Sequence, residues 1–154
     1  MRFSHRRLIA ALFALSLSAC TPNVVDNTPA KVLESYIQIS FSAKGADDKK
    51  KMQELLTGDT LTRLAAWSDE QFEKAFIETK KKFDGLKILD NKRVTENEVV
   101  LTYELAYKEG PADKNAQITQ RKLATVVLES GAWKIKEVRS IRESIEYLKE
   151  LSLP

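Results

Sequence analysis

The sequence predicts an α+β fold in which N-terminal helices pack on a curved antiparallel sheet of about four strands, with a further helix at the C-terminus. Apolar residues recur at helical spacing between residues 28 and 82, which is typical of amphipathic helices. After Asp84-Gly85, apolar and polar residues alternate, which is typical of strands with one buried face. Short turn sequences separate the later segments, so we expect neighbouring strands to pair antiparallel.

The first helix is predicted to begin at Pro29. Thr28 is a suitable N-cap, and proline fits the first helical position because the N–H that it lacks would have no partner there. The helix should end near Gly45. Its buried side is expected to carry the residues that recur at helical spacing: Leu33, Tyr36, Ile37, Ser40 and Phe41.

A second helical region is predicted over residues 47–67, with an interruption at residues 57–59. Gly58 can end the first of its two helices, and Asp59 or Thr60 can cap the second. The buried stripe of this region is expected to consist of its apolar residues: Met52, Leu55, Leu56, Leu61, Leu64 and Ala65.

A third helix is predicted to start at Ser68. The spacing of Ser68 and Gln71 forms a capping box, in which each side chain satisfies the other residue's backbone N–H. The helix is expected to end among residues 80–82, where three lysines complement the negative end of the helix dipole. The alternative interpretation of these lysines is a patch for phospholipid head groups or nucleic acid.

The second half of the chain is predicted to form four strands. The first covers residues 86–94, and a turn at residues 95–97 leads into a strand whose apolar residues alternate with polar ones. A polar loop follows from Gly110. The third strand covers residues 118–129, and a turn at Ser130-Gly131-Ala132 leads into a fourth over residues 133–139.

The last segment predicts a helix from Ile141 to Glu150. Ser140 and Glu143 form a second possible capping box, and apolar residues recur at i, i+4 and i+7 from Ile141. Such a helix can fold back over the open side of the sheet or bury its apolar stripe in a partner. We favour the fold-back, because the apolar stripe is narrow.

The first 19 residues predict a secretory signal peptide. Three arginines precede the uncharged segment Leu8–Leu17. Ten residues of helix rise about 15 Å, half the thickness of a typical hydrocarbon core, so the segment is too short to span a membrane. Leu17-Ser18-Ala19-Cys20 resembles the lipobox of bacterial lipoproteins. The alternative is an ordinary secretory signal that leaves Cys20 as an idle thiol.

The lipobox resemblance implies cleavage between Ala19 and Cys20 and attachment of lipid to the Cys20 thiol. Residues 1–19 would be removed, and residues 20–27 would form a short lipidated tether to the membrane of the bacterial cell envelope. In Gram-negative lipoproteins an aspartate after the cysteine favours the inner membrane. Thr21 follows Cys20 here, so the resemblance implies the outer membrane, with the domain facing the periplasm.

Charge and length limit the partners of the mature chain. Residues 1–19 contain three arginines and no acidic residue, so 22 lysines and arginines (25 minus 3) face 22 aspartates and glutamates. A formally neutral chain has no electrostatic footprint for nucleic acid, so no such partner is expected. Residues 28–154 are long enough for a single domain. Cys20 is the single cysteine, so no disulfide forms within the chain.

Two short motifs resemble the nuclear transport factor 2-like superfamily, in particular its small secreted and lipoprotein members. Residues 28–32 (Thr-Pro-Ala-Lys-Val) match the start of its first helix, and residues 131–135 (Gly-Ala-Trp-Lys-Ile) match its last strand. The resemblance implies a cone in which a curved sheet wraps helices around an apolar pocket. A cystatin-like helix on a sheet is the structural alternative. Our candidates for pocket walls are Trp67, Phe72, Phe76 and Tyr103.

The mature chain lacks the residues of common catalytic centres. Its single histidine is His5, in the predicted signal, which excludes catalysis by histidine and leaves no ligand set for zinc. We assign no catalytic residue and expect no metal and no cofactor. The leading hypothesis is a non-catalytic module that binds an apolar small molecule or an envelope protein partner. The alternative is a weak isomerase or hydrolase that uses carboxylates and tyrosines such as Tyr103 or Tyr107.

Overall fold

The computed structural model describes residues 27–79, 81–110 and 116–147. Within these ranges helices come first and strands follow, which confirms the predicted α+β order. The elements are α1 (Pro29–Ser42), α2 (Ala46–Glu54), α3 (Gly58–Ala66), α4 (Asp69–Phe72) with its π-helical continuation (Glu73–Ile77), β1 (Lys81–Thr95), β2 (Glu98–Glu109), β3 (Ala116–Glu129) and β4 (Ala132–Tyr147). No helix in the described ranges is long and apolar enough to cross a bilayer.

The predicted start of α1 is confirmed. The Thr28 side chain accepts a hydrogen bond from the backbone N–H of Lys31 at 3.3 Å, and Pro29 occupies the first turn. This bond satisfies one of the backbone N–H groups that have no partner within the helix. The inner side of α1 buries three residues: Val32, Leu33 and Ile37.

The predicted break between α2 and α3 is confirmed, and its cause is a contact with the sheet. The Thr57 N–H donates to the Ile135 carbonyl at 3.0 Å, and the Ile135 N–H donates to the Leu55 carbonyl at 2.8 Å. The chain leaves the helix here to pair with β4. Gly58 begins α3 with φ of +59° rather than ending α2, and this left-handed conformation suits glycine.

The capping box of α4 is confirmed, but the predicted end of this helix is wrong. The Gln71 N–H donates to Ser68 Oγ at 3.2 Å, and the Ser68 N–H donates to Gln71 Oε1 at 2.8 Å. The π-helical segment ends at Ile77, and Lys81 already pairs with Glu109 as the first residue of β1. Lys81 and Lys82 are therefore strand residues and not dipole partners, because pairing with β2 orders them. Lys80 lies outside the described residues.

The four strands form a simple antiparallel meander in the order β1-β2-β3-β4. The predicted alternation of β2 is confirmed, because every second residue from 99 to 107 is buried while the residues between them are partly exposed. β2 and β3 pair without interruption, and the irregularities of register lie in the pairs that involve the outer strands β1 and β4. Such irregularities bend outer strands, which favours a curved sheet.

The predicted C-terminal helix is wrong for residues 141–147, because these residues continue β4. Ile145 pairs with Ile118 and Tyr147 pairs with Ala116. The i, i+4 spacing that predicted a helix is also an even number, so it fits a strand, and the backbone hydrogen bonds of β3 decide between the two. The rest of the predicted helix, residues 148–150, lies outside the described residues.

α1 lies across the sheet and contacts all four strands. The core residues buried between helices and sheet all lie between Val32 and Ile135, so we expect a chain that starts at Thr21 to fold without the N-terminal segment. The opposite face of the sheet carries charged and polar side chains, such as the Arg121–Glu104 ion pair at 2.6 Å. One face is therefore buried and the other faces water.

The two hairpin turns, at Glu96-Asn97 and Ser130-Gly131, lie at the same end of the sheet, which we call the hairpin end. Asn27 contacts this end: its Nδ2 donates to the Gly131 carbonyl at 3.3 Å, and the Trp133 N–H donates to its Oδ1 at 3.4 Å. The described chain thus starts at the hairpin end.

Leu33→Ala tests the packing of α1 on the sheet. In a chain that starts at Thr21, this substitution should lower the free energy of unfolding by about 2–5 kcal/mol, because Leu33 is fully buried in the core. Denaturant unfolding followed by circular dichroism measures the change. Gln38→Ala on the exposed side of the same helix is the control, with an expected change within about 0.5 kcal/mol. Equal effects of the two variants would contradict this arrangement.

Candidate functional site

A cavity of about 230 Å³ lies between α1, the π-helical segment and the inner face of the sheet. Its walls combine apolar and aromatic side chains with polar and charged ones that come from the helical side as well as from the strands. The lining residues are Tyr36, Ile37, Ser40, Phe41, Ala75, Phe76, Thr79, Lys81, Tyr103, Leu105, Tyr107, Gln120, Lys122 and Val138. Apolar walls with few converging polar groups are typical of small-molecule sites.

Local structure explains how each wall is built. Tyr36, Ile37, Ser40 and Phe41 share one face of α1 because they are spaced by three and four residues. The π-helical segment contributes Ala75 and Phe76, and short π-helical segments occur frequently at functional sites. The floor is the inner face of β2 and β3, on which side chains of alternate residues point toward the helices.

Tyr103 supplies a buried polar group to the cavity. Its side chain is fully buried, and its hydroxyl has no hydrogen-bond partner among the described residues. Burial, with a smaller contribution from the nearby Tyr36, raises the pKa of Tyr103 well above its ordinary value of 10.0. The phenol therefore stays protonated at neutral pH and can donate a hydrogen bond to a molecule in the cavity.

Lys122 supplies a positive charge to the same inner face of the sheet. It lies directly opposite Tyr103 in the pairing of β2 and β3, and residues in such positions have Cβ atoms about 4.5–5.5 Å apart. Burial first, and the charge of Lys81 second, lower the pKa of Lys122, while Glu143 acts in the opposite direction. Within the described ranges, no carboxylate lies within ion-pair distance of its ammonium group.

Two further polar groups of the cavity already have partners. The Lys81 ammonium lies 3.9 Å from a Glu109 carboxylate oxygen and 5.5 Å from the centre of the Tyr107 ring. Gln120 donates a hydrogen bond from its amide to the Glu143 carboxylate. Among the described residues no carboxylate lines the cavity itself, so the charged groups that line it are the two cations Lys81 and Lys122.

Two of the four predicted pocket residues line this cavity and two do not. Phe76 and Tyr103 face it. Phe72 is buried in the core with its ring centre 4.9 Å from that of Phe76, and Trp67 is 37% exposed with its ring centre 6.0 Å from that of Phe76. Whether Phe76 and Tyr103 contact a ligand stays a prediction. Ala19 and Cys20 lie outside the described residues.

Sequence reasoning missed Lys122 and Gln120. Both lie in the same phase of β3 as the buried residues Ile118, Ala124 and Val126. A charged residue in the buried phase of a strand is unusual, because lysine is almost never fully buried without a partner. The position of Lys122 and Gln120 in this alternating pattern is the feature of the sequence that could have identified them.

A second, more open groove lies between α1 and β1. Its volume is about 660 Å³, and its lining residues are Glu34, Ile37, Gln38, Phe41, Ser42, Phe83, Leu86 and Ile88. Phe83 is 45% exposed there, although its ring contacts that of Phe41 at 5.6 Å. The groove therefore presents apolar surface to the solvent beside the outer strand.

The described residues contain no group of three or more His, Cys, Asp or Glu side chains that could hold a metal ion. The chain also matches no protein-family model, and no curated protein matches it in sequence.

Among solved structures, the domain is similar to the intermembrane space region of the chloroplast protein ARC6. The two chains are 15% identical, the alignment covers 72% of this chain and 92% of that chain, and the TM-score is 0.50. At this level of identity the similarity concerns the α+β fold alone.

Tyr103→Phe tests whether the hydroxyl lacks a partner. The substitution should raise the free energy of unfolding by about 1–3 kcal/mol, because it removes a buried polar group that makes no hydrogen bond. Tyr147→Phe, at a position that is 72% exposed, is the control and should change little. A loss of stability in Tyr103→Phe would show instead that the hydroxyl is bonded.

Alkaline titration gives a second readout of the same variant. The raised pKa of Tyr103 means that above pH 10 the unfolded phenol ionises while the folded phenol stays protonated. The parent should therefore lose stability as the pH rises above 10. Tyr103→Phe should reduce this loss in denaturant titrations between pH 9 and 11.

Proposed function

We propose that this protein is a membrane-anchored lipoprotein of the bacterial envelope whose domain is a non-catalytic module that binds a small apolar molecule. The proposal rests on one observation above all: Tyr103, which lines the cavity together with several apolar side chains, has a buried hydroxyl without a partner among the described residues. A buried donor without a partner is costly, and a ligand with an acceptor removes that cost.

The size of the cavity supports a small ligand. An apolar cavity of about 150 Å³ accommodates benzene, and sites for drug-sized molecules start at about 300 Å³. The volume of about 230 Å³ lies between these values. We therefore propose a ligand slightly larger than a single aromatic ring.

The cone of the nuclear transport factor 2-like superfamily is our proposal for the finer fold. Helices packed on one face of an antiparallel meander, with a cavity between them, support it. The motif at residues 131–135 adds to this support, because its last residue, Ile135, is fully buried in the core as part of β4.

The chemistry of the cavity favours binding over the alternative of an isomerase or hydrolase. Proton transfer needs a group that changes its protonation state near the working pH. The raised pKa of Tyr103 keeps its phenol protonated, the pKa of Tyr107 is also raised, and among the described residues no carboxylate lines the cavity.

A protein partner is the second candidate for the ligand of this module. The open groove between α1 and β1 favours it, because Phe83, Leu86 and Ile88 form an apolar strip along an outer strand. A partner seated there would bury Phe83, which is 45% exposed in the isolated chain.

The proposed anchor would orient the domain. Six residues separate Cys20 from Asn27, and the seven residue steps between the two reach at most about 25 Å. Since Asn27 contacts the hairpin end, that end would lie near the membrane. The cavity floor at Tyr103, Leu105 and Tyr107 lies farther along β2, away from the end that would lie near the membrane.

Cys20→Ser tests the anchor. Serine cannot form the thioether, so the variant should leave the membrane fraction or remain an unprocessed precursor, and it should incorporate no labelled palmitate. Ser16→Ala, outside the four-residue lipobox, is the control and should behave like the parent. Palmitate on the Cys20→Ser protein would contradict the lipoprotein proposal.

Ala75→Leu tests the cavity. In a chain that starts at Thr21, the larger side chain should occupy cavity volume and weaken binding of the neutral probe 1-hexanol about tenfold or more, as measured by NMR titration. Ala66→Leu, at an exposed position of α3, is the control and should leave the affinity unchanged. Equal affinities of parent and Ala75→Leu would place the probe elsewhere and contradict the proposal.

A further inference from the structure

We propose that the cavity recognises small apolar monocarboxylates, with the carboxylate bound by the Lys122 ammonium group and the Tyr103 hydroxyl. This inference rests on the proposed function of the cavity and names the chemical class of its ligand. It is carried by the juxtaposition of an unpaired cation and an unpartnered donor on one inner face of the sheet.

Lys122 needs an anion more than other described lysines do. A partly buried ammonium group loses hydration, and this cost is offset only when an opposite charge approaches it. Most lysines outside the cavity are exposed, and Lys49, which is largely buried, is satisfied by the Trp67 carbonyl at 2.6 Å and by Asp69 at 3.0 Å. Lys122 has no such partners among the described residues.

Tyr103 provides the second bond to the same carboxylate. Its register opposite Lys122 brings both side chains to the same strip of the inner face. A carboxylate has two oxygens that each accept hydrogen bonds, so one oxygen can accept from the ammonium group and the other from the phenol. Hydrogen bonds to an ionised acceptor are stronger than those between neutral groups.

The remaining walls suit the body of such an acid. Ile37, Phe41, Phe76, Leu105 and Val138 contribute apolar surface around the two polar groups. An anion without an apolar group would leave this apolar surface without contacts, and a neutral apolar ligand would leave the Lys122 ammonium unpaired. An anion with an apolar tail satisfies both.

The charges around the cavity favour a monoanion. Lys81 adds positive potential that disfavours cations, although Glu109 partly compensates it. Glu143 acts on both Lys122 and Tyr107 and accepts a hydrogen bond from Gln120, so it opposes the entry of a second negative charge. One ammonium group and one phenol match one carboxylate.

The test compares hexanoate with 1-hexanol, which has the same tail without the charge, in the chain that starts at Thr21. We expect the parent to bind hexanoate on the order of ten- to a hundredfold more tightly than 1-hexanol at pH 7. Lys122→Met should abolish this preference, so that hexanoate binds no more tightly than 1-hexanol. Lys108→Met, on the outer face of β2, is the matched control and should keep the preference.

Three further variants keep the test informative. Lys122→Arg retains the charge and should retain most of the preference, whereas Lys122→Gln removes the charge. These two variants replace Lys122→Met if that variant fails to fold. Tyr103→Phe should weaken hexanoate binding several-fold and 1-hexanol binding less, because a hydrogen bond to an ionised acceptor is stronger than one to a neutral hydroxyl.

The outcomes separate this inference from the proposed function. Equal affinities of the parent for hexanoate and 1-hexanol, or a preference that survives Lys122→Met, overturn the carboxylate site but leave the apolar cavity intact. Inorganic phosphate that binds as tightly as hexanoate also overturns it, because the apolar walls would then contribute nothing. Failure of both probes to bind overturns the cavity proposal itself.

Discussion

Strand β2 carries five buried residues at alternate positions, and covering that face is the requirement from which the rest of the architecture follows. An antiparallel sheet with one face in water packs its other face on a core, and here the helices supply the other side of that core. α1 crosses all four strands with Leu33 fully buried, and the linker between α2 and α3 pairs with β4 at Ile135. The pairing at Ile135 accounts for the break in the second helical region.

The helices do not cover the sheet evenly, and the cavity lies where the cover is incomplete. Under the helices, the inner face of β3 consists of Ala124 and Val126, which are fully buried. Farther along the same face it changes to Lys122 and Gln120, opposite Tyr103 and Leu105. This change from apolar to polar in one phase of one strand reduces local packing stability. Departures of this kind from a consistent core are expected at functional sites.

The edge of the sheet is subject to a different constraint, which is protection against pairing with other chains. Strands at the edge of a sheet expose unpaired backbone groups, and lysines on such strands discourage pairing with other chains. β1 carries lysines at positions 81, 82, 87 and 92 together with Arg93. The apolar groove beside β1 therefore lies next to a charged edge, so a partner in that groove would have to complement both apolar surface and positive charge.

The sequence by itself determined the features that depend on local chemistry. The Thr28 cap, the capping box at Ser68, the alternation of β2 and the turn at Ser130-Gly131 all follow from a few neighbouring residues. Tertiary structure decided the features in which two local solutions compete. Residues 141–147 fit a helix or a strand, and hydrogen bonds to β3 select the strand. The candidate site belongs to the second group, because Lys122 and Tyr103 are 19 residues apart (122 minus 103) and meet only through the register of β2 and β3.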